Sequence, residues 1–359
     1  MKLFHILVLA VATALSCGCG VTAGTAAPAN DSRIYVVATD YVPADGTTDV
    51  ADLLQKMIDE NPHRTIFFPD GEYLLSHSIA TPADPNKAVH IRMGNFAILK
   101  ADKDAWTDGA VLRLGGKDPA NDITTNGSNY GIEGGIIDGS GVADGISIDS
   151  GRETRITGVS ITNTRIGIHI RYGANSGSSD SDIRDVNIIG NRTKEAIGVL
   201  IEGFDNTFTN MRICHTHTGI WCKSAGNSFK NIHPLYGMGN GNYPESRAFV
   251  VECGNNWFDY CYSDQFAKGF VLTDGVEVNL VNCFAYWYTG NVPFQTAIEC
   301  EGAFDSLVYG FHAGFSDSCA DVALLTGAVE GKGRIYDTYM SDRAMSPADV
   351  SAGFTRRAE

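Results

Sequence analysis

The chain has 359 residues, a formal net charge of -15 at pH 7 and 43% apolar side chains. That length holds one large domain or two ordinary ones, and the apolar content suffices for a substantial core. The acidity excludes nucleic acid and anionic membrane surfaces as partners, because neither attracts an acidic face.

Lys2 precedes an apolar run from Leu3 to Leu15, too short to cross a bilayer but the size of the hydrophobic part of an export signal. Residues 1–27 are therefore expected to be an export signal. Ala14-Leu15-Ser16-Cys17 offers a lipoprotein-like processing pattern and Val21-Thr22-Ala23 an ordinary small-residue cleavage site. Residues 28–359 are expected to form one domain that works in the periplasm, on the cell surface as a lipoprotein, or secreted. No later stretch is apolar enough to span a membrane.

Asp45-Gly-Thr-Thr-Asp49 leads into residues 50–61, where Val50, Leu53, Leu54, Met57 and Ile58 keep helical spacing. Thr65-Ile-Phe-Phe-Pro69-Asp70-Gly71-Glu-Tyr73 follows. From residue 145 onward a short apolar strand recurs after a small residue: GISID, GIHIR, GVLIE, GIWCK, AFVVE, GFVLT and AIECE, beginning at 145, 167, 198, 219, 248, 269 and 297. Ahead of several of these strands stands an h-x-x-h-x-h pattern, as in Ile156-Val159-Ile161, Ile183-Val186-Ile188 and Phe208-Met211-Ile213. Two units also begin alike, Asn206-Thr-Phe-Thr-Asn210 and Asn227-Ser-Phe-Lys-Asn231. Period-two alternation with turns of Asn and Gly, repeated every 21 or 22 residues with insertions, predicts an all-β solenoid of parallel strands in which each unit is one coil. Amphipathic helices of doubly wound length are absent after residue 60. Seven cysteines lie beyond the leader; their apolar settings favour buried fillers over a disulfide framework, and a Cys261–Cys283 bridge between neighbouring turns is left open.

The order DGTTD, helix, then IFFPDGEYLLS resembles the opening of the pectate-lyase-like and polygalacturonase-like proteins, and Glu133-Gly-Gly-Ile-Ile-Asp138-Gly is similar to a strand-turn signature of the same superfamily. The resemblance implies a right-handed parallel β-helix with a short N-terminal capping helix. The Asn-Thr-Asp, paired Asp-Asp, Gly-His-Gly and Arg-Ile-Lys elements of the pectin-degrading hydrolases are missing, so no catalytic residue carries over. Nor are the clustered calcium aspartates of the classical pectate lyases present; Asp180, Asp182 and Asp185 form a loose candidate for calcium. No other cofactor is expected, and the oligomeric state stays open.

In the GISID-type strands, alternate residues point inward, which leaves Asp149, His169, Arg171, Glu202, Trp221, Lys223, Glu252 and Glu299 outward. Stacked coils would turn Asp149, Arg171, Glu202, Lys223 and Glu252 into a column of alternating sign, read either as a mutually neutralising surface ladder or as a sugar-binding strip. The connections should build walls along one edge of the solenoid. That edge would offer His215, His217, His233, Tyr236, Glu245, Asp264, Lys268, Tyr286, Trp287, Tyr288, His312 and Asp317. The aromatic run Phe284–Tyr288 would be costly to expose without a ligand, and sugar rings pack against such side chains. Cys214-His215-x-His217 invites a zinc reading, but opposite strand faces for Cys214 and His215 weigh against it.

Three functions compete. Glycoside hydrolysis of a complex polysaccharide leads, with Asp264, Glu245 and Asp317 as carboxylates, joined by Glu202 and Glu252 on the adjoining face. Close behind is a polysaccharide lyase on a uronate-containing glycan. Its base would be His215 or His217, its acid Tyr236 or a second histidine such as His233, and its neutralising cation Arg171, Lys223 or Lys268. From Arg152 to Lys268 twelve Lys and Arg stand against eleven Asp and Glu, so the central coils escape the acidity of the ends. The third is a non-catalytic glycan-binding β-helix that uses Trp221, Tyr286, Trp287 and Tyr288.

Overall fold

The six-residue apolar pattern departs from strict alternation by one residue, and that residue is where the backbone bends. Gly158, Asp185, Asn210, Asn231, Tyr260, Asn282, Gly310 and Asp337 all adopt positive φ, between 45° and 65°. Each sits between the first apolar position and the second pair, so the pattern forms two strands and each coil has three. A left-handed residue swings the chain and resets which side faces in.

The computed structural model describes residues 34–107, 109–118, 131–172, 178–288, 295–319, 321–341 and 345–351. The export signal and its processing sites lie outside the described residues. Three ladders of parallel strands run along a β-helix. In ladder 1, Arg155–Thr157, Asp182–Arg184, Thr207–Thr209, Ser228–Lys230, Trp257–Asp259, Asn279–Val281, Leu307–Tyr309 and Arg334–Tyr336 stack in register. In ladder 2, Ser160, Asn187, Arg212, His233, Tyr262, Phe284, His312 and Tyr339 occupy one position in successive coils. Ladder 3 has ten strands among the described residues, from Ile79–Pro82 to Val322–Thr326, and contains every GISID-type repeat.

The helix Ala51–Glu60 buries Leu54, Met57 and Ile58 at the N-terminal end, while Leu53 lies half exposed. Within the coils, aromatic rings at equivalent positions stack face to face. Phe208, Phe229 and Phe258 follow one another at 5.0 and 4.5 Å, and Phe249 lies 4.5 Å from Phe270. Such pairs add to the burial energy of rings that fill most of the core width. Asn206, Asn227 and Asn256 form a second, polar column at the turn from ladder 3 into ladder 1, all three fully buried.

The seven cysteines among the described residues are free thiols. Cys261 and Cys283 hold equivalent buried positions one coil apart but form no bridge in the structure. Burial pushes the Cys222 thiol up to about 12, which keeps it protonated and inert.

The outward set of ladder 3 forms the ion-pair column read from the repeat. Arg113 and Arg171 approach Asp149 at 2.6 and 3.4 Å, Lys223 lies 3.9 Å from Glu202, and Lys268 lies 2.7 Å from Glu299. His169 meets Glu202 at 2.9 Å, and the Trp221 indole N–H donates to Glu252 at 2.6 Å. Arg171 is 45% exposed and shares Asp149 with Arg113. Arg171→Ala should therefore lower stability by about 1 kcal/mol or less, a difference that chemical denaturation in low salt would register and that added salt would shrink.

Candidate active site

The bend at Tyr260 sends Cys261 and Ser263 into the core and Tyr262 and Asp264 outward; the two inward residues are fully buried and the outward pair half-buried. One coil earlier, Ile232 and Pro234 point in and His233 points out. The parallel register places His233 directly beside Tyr262, and Leu235 beside Asp264. The His233 and Tyr262 rings stack at 4.1 Å. Tyr262 donates its hydroxyl proton to Asp264 at 3.2 Å, and the His233 Nε2 lies 3.5 Å from the same carboxylate oxygen. An aspartate thus stands between an imidazole and a phenol on a rigid face.

Burial, then the nearby Asp264 charge, pushes the Tyr262 hydroxyl well above the ordinary tyrosine range, so it stays protonated at neutral pH. Apart from its long approach to Asp264, the buried His233 Nε2 has no partner that meets hydrogen-bond geometry. The Nδ1 of His215 and the Nε2 of Gln265 are buried orphans too. Both residues sit at positive φ in the turn that follows ladder 2, with φ of 57° and 63°.

Arg212 precedes His233 by one coil at the same outward position. One of its guanidinium nitrogens donates to the carbonyls of Met211 and Asn231 at 3.1 and 3.5 Å, which anchors the cation beside the imidazole. On the other side the column continues through Phe284, His312 and Tyr339, with ring separations of 4.9, 4.6 and 4.1 Å from Tyr262 onward. His312 is held by Ser341 at 2.8 Å. Tyr286 lies outward next to Asp264 in the following coil.

The residues expected along one edge divide among several places. His233, Asp264 and Tyr286 meet on the outer face of ladder 2. His215 occupies the adjoining turn, where burial and the Arg192 charge push its pKa down. Gly237 makes room for it, since a Cβ there would fall 2.5 Å from the His215 Cδ2. His217 is buried, and its carbonyl accepts from the Arg247 amide. Arg171, Trp221, Lys223 and Lys268 belong to the ion-paired face of ladder 3. There Lys223 lies 4.5 Å and Arg247 5.7 Å from the Trp221 ring centre.

Two expected residues are corrected. Trp287 is fully buried and donates its indole N–H to the Phe266 carbonyl at 2.6 Å. Strand alternation takes Ala285 and Trp287 inward and leaves Phe284 and Tyr286 outside, so Trp287 is a core residue that cannot face a sugar. Tyr236 is also buried, packed edge-on against Tyr243 and Phe266, with its hydroxyl donating to Gly239 at 3.3 Å. Tyr262 occupies a half-buried, outward position on the ladder face instead. Tyr288 is 67% exposed, and Glu245 and Asp317 are exposed on connections rather than on the ladder face.

Among the described residues no group of three or more His, Cys, Asp or Glu side chains could hold a metal ion. Asp180 pairs with Arg152, Asp182 with Arg184, and Asp185 accepts from Asn210, so the three aspartates do not converge.

Similar folds occur among solved structures. A protein described as ORF18 of Geobacillus virus E2 aligns with a TM-score of 0.60 at 14% identity, over 86% of this chain and 62% of that one. A double mutant of the tailspike protein of E. coli bacteriophage HK620 aligns with a TM-score of 0.61 at 12% identity, over 86% and 67%. The alginate lyase of Paenibacillus sp. FPU-7 aligns with a TM-score of 0.52 at 16% identity, over 81% and 96%. The chain thus spans about 62% of the length of the Geobacillus virus protein. No protein-family model and no curated protein matches the chain. At these identities the likeness concerns the fold alone, and the fold is the expected one: a right-handed parallel β-helix.

Proposed function

We propose that the chain is an exported polysaccharide lyase that cleaves a uronate-containing glycan by β-elimination on the outer face of ladder 2. The observation that carries this reading is the contact set of Asp264, within 3.5 Å of the His233 imidazole and 3.2 Å of the Tyr262 hydroxyl. In the proposed step His233 takes the proton from the carbon beside the uronate carboxylate. The electron pair of that C–H bond becomes the new carbon–carbon double bond, the glycosidic C–O bond breaks, and Tyr262 gives its proton to the departing oxygen. Arg212 neutralises the uronate charge that makes the proton hard to remove, and Asp264 orients both proton carriers.

Hydrolysis, the leading expectation from the sequence, needs a second carboxylate roughly 5 to 10 Å from the first. Among the described residues, the other outward positions of ladder 2 within two coils of Asp264 are Tyr262, His233, Arg212, Leu235, Cys214, Phe284, Tyr286, His312 and Gly314. None is acidic. Glu202 and Glu252 on ladder 3 are held by His169 and Trp221. One structural neighbour is an alginate lyase, which agrees with elimination without requiring it.

Incubation with alginate, polygalacturonate and neutral xylan tests the reading. The expected products from a uronate polymer carry the ultraviolet absorbance of an unsaturated uronate. New reducing ends without that absorbance would return the reaction to hydrolysis, and no cleavage of any polymer would leave only a binding role.

A further inference from the structure

Ladder 1 carries its own unusual outer surface in the C-terminal coils, on a different face from His233. Trp257, Leu307 and Tyr309 are 46%, 36% and 44% exposed. The register sets Trp257, Asn279, Leu307 and Arg334 in one column, and Asp259, Val281, Tyr309 and Tyr336 in the next. Beside Leu307 the surface dips into a shallow, open hollow of about 350 Å³ lined by Glu277, Asp305, Ser306, Leu307, Lys332 and Arg334. Glu277 pairs with Lys332, and the Lys332 amide donates to Asp305 at 2.9 Å, so charged and hydrogen-bonding groups border the hollow.

Exposed rings on a strand surface are a standing cost in water and mark contact sites. A protein partner would favour a patch whose centre is depleted of charge. Here apolar and polar residues alternate from coil to coil along the first column, and a charged hollow opens beside Leu307. Flat rings bordered by hydrogen-bonding groups suit a sugar, which offers a C–H face to the rings and hydroxyls to the rim. From this arrangement we infer that the outer face of ladder 1 is a glycan-holding site, with Trp257 and Tyr309 as ring platforms and the hollow beside Leu307 receiving the hydroxyls of one sugar unit. It tethers the polymer and takes no part in bond cleavage.

Electrophoresis through gels that contain alginate, polygalacturonate or xylan tests this directly, because retardation reads binding without turnover. The wild-type chain should be retarded in at least one gel. Trp257→Ala and Tyr309→Ala should each bind that polymer about tenfold more weakly, with the folded state retained in a thermal melt because each ring is only partly buried. Tyr262→Phe should be retarded like the wild type. Variants that migrate like the wild type, or a wild-type chain retarded in none of the gels, overturn the assignment. So does light scattering that shows a wild-type oligomer and a Trp257→Ala monomer, since a second copy would then cover the patch. If Tyr262→Phe still cleaves polymer while Trp257→Ala loses retention, the catalytic assignment falls and this one stands.

Discussion

Tyr262→Phe and His233→Ala are each expected to lower kcat/KM on the uronate polymer by about 10²–10⁴-fold, the usual worth of a positioned proton donor or acceptor. Tyr262→Phe keeps the ring that stacks on His233 and removes only the oxygen, so its fold should persist and its melting temperature should stay near the wild-type value. A purely structural ring column would tolerate that change with full activity, and such a result would end the catalytic reading. The pH profile gives a second readout. Burial and the Asp264 charge together hold the Tyr262 hydroxyl above its ordinary range. In Asp264→Asn the charge is gone and burial remains, so the phenol loses its proton at lower pH than in the wild type. The alkaline limb of kcat/KM should therefore move toward neutrality, together with a fall in kcat from the lost orientation of His233. A limb that stays in place would assign the general acid to another group.

Much of this fold was legible because its repeat is written on ladder 3, where each GISID-type strand returns at one position per coil. The capping helix was legible for a similar reason: Leu54, Met57 and Ile58 keep a period that only a helix satisfies. The site was harder, because its members lie in separate coils and meet only through stacking. A local signal existed nonetheless. In h-x-x-h-x-h the residue between the last two apolar positions must point outward once the earlier x-x is recognised as a left-handed bend. Reading that slot gives Arg212, His233, Tyr262, Phe284 and His312 in order, the column the structure displays. Treating the pattern as one continuous strand hides the change of side, which is why Tyr262 went unnoticed and Trp287 was assigned to the surface. The division of His215, Trp221 and His233 among a turn and two faces had no comparable signal. It depends on how sharply each corner bends, and the bend is set by backbone conformation rather than by side-chain type.

The repeated asparagines were visible as well, but their purpose needed coordinates, and it leads to the largest stability effect expected outside the hydrophobic core. Asn227 sits in the turn before ladder 1 with its carboxamide wholly buried. Its Oδ1 accepts from both the backbone amide and the side chain of Asn206, at 3.1 and 3.0 Å. Its Nδ2 donates to the carbonyls of Ser224 and Ala225, each at 3.2 Å, while its own amide donates to the Asn256 Oδ1 at 2.8 Å. Asn227→Ala would strand two donors on Asn206 in a space closed to solvent. Each unsatisfied buried group costs about 1–3 kcal/mol, so a loss of about 3 kcal/mol or more is expected in urea unfolding. Asn227→Asp should fare worse at neutral pH despite its nearly identical shape. It replaces a donor with an acidic oxygen aimed at carbonyls, in a site where an unpaired charge is poorly solvated. Acidification should recover part of that second loss by protonating the aspartate, and none of the first. If Asn227→Ala unfolds within about 1 kcal/mol of the wild type, below the expected cost of even two orphaned donors, then water or a shift of the turn supplies the missing partners and the polar column does not hold the coils together.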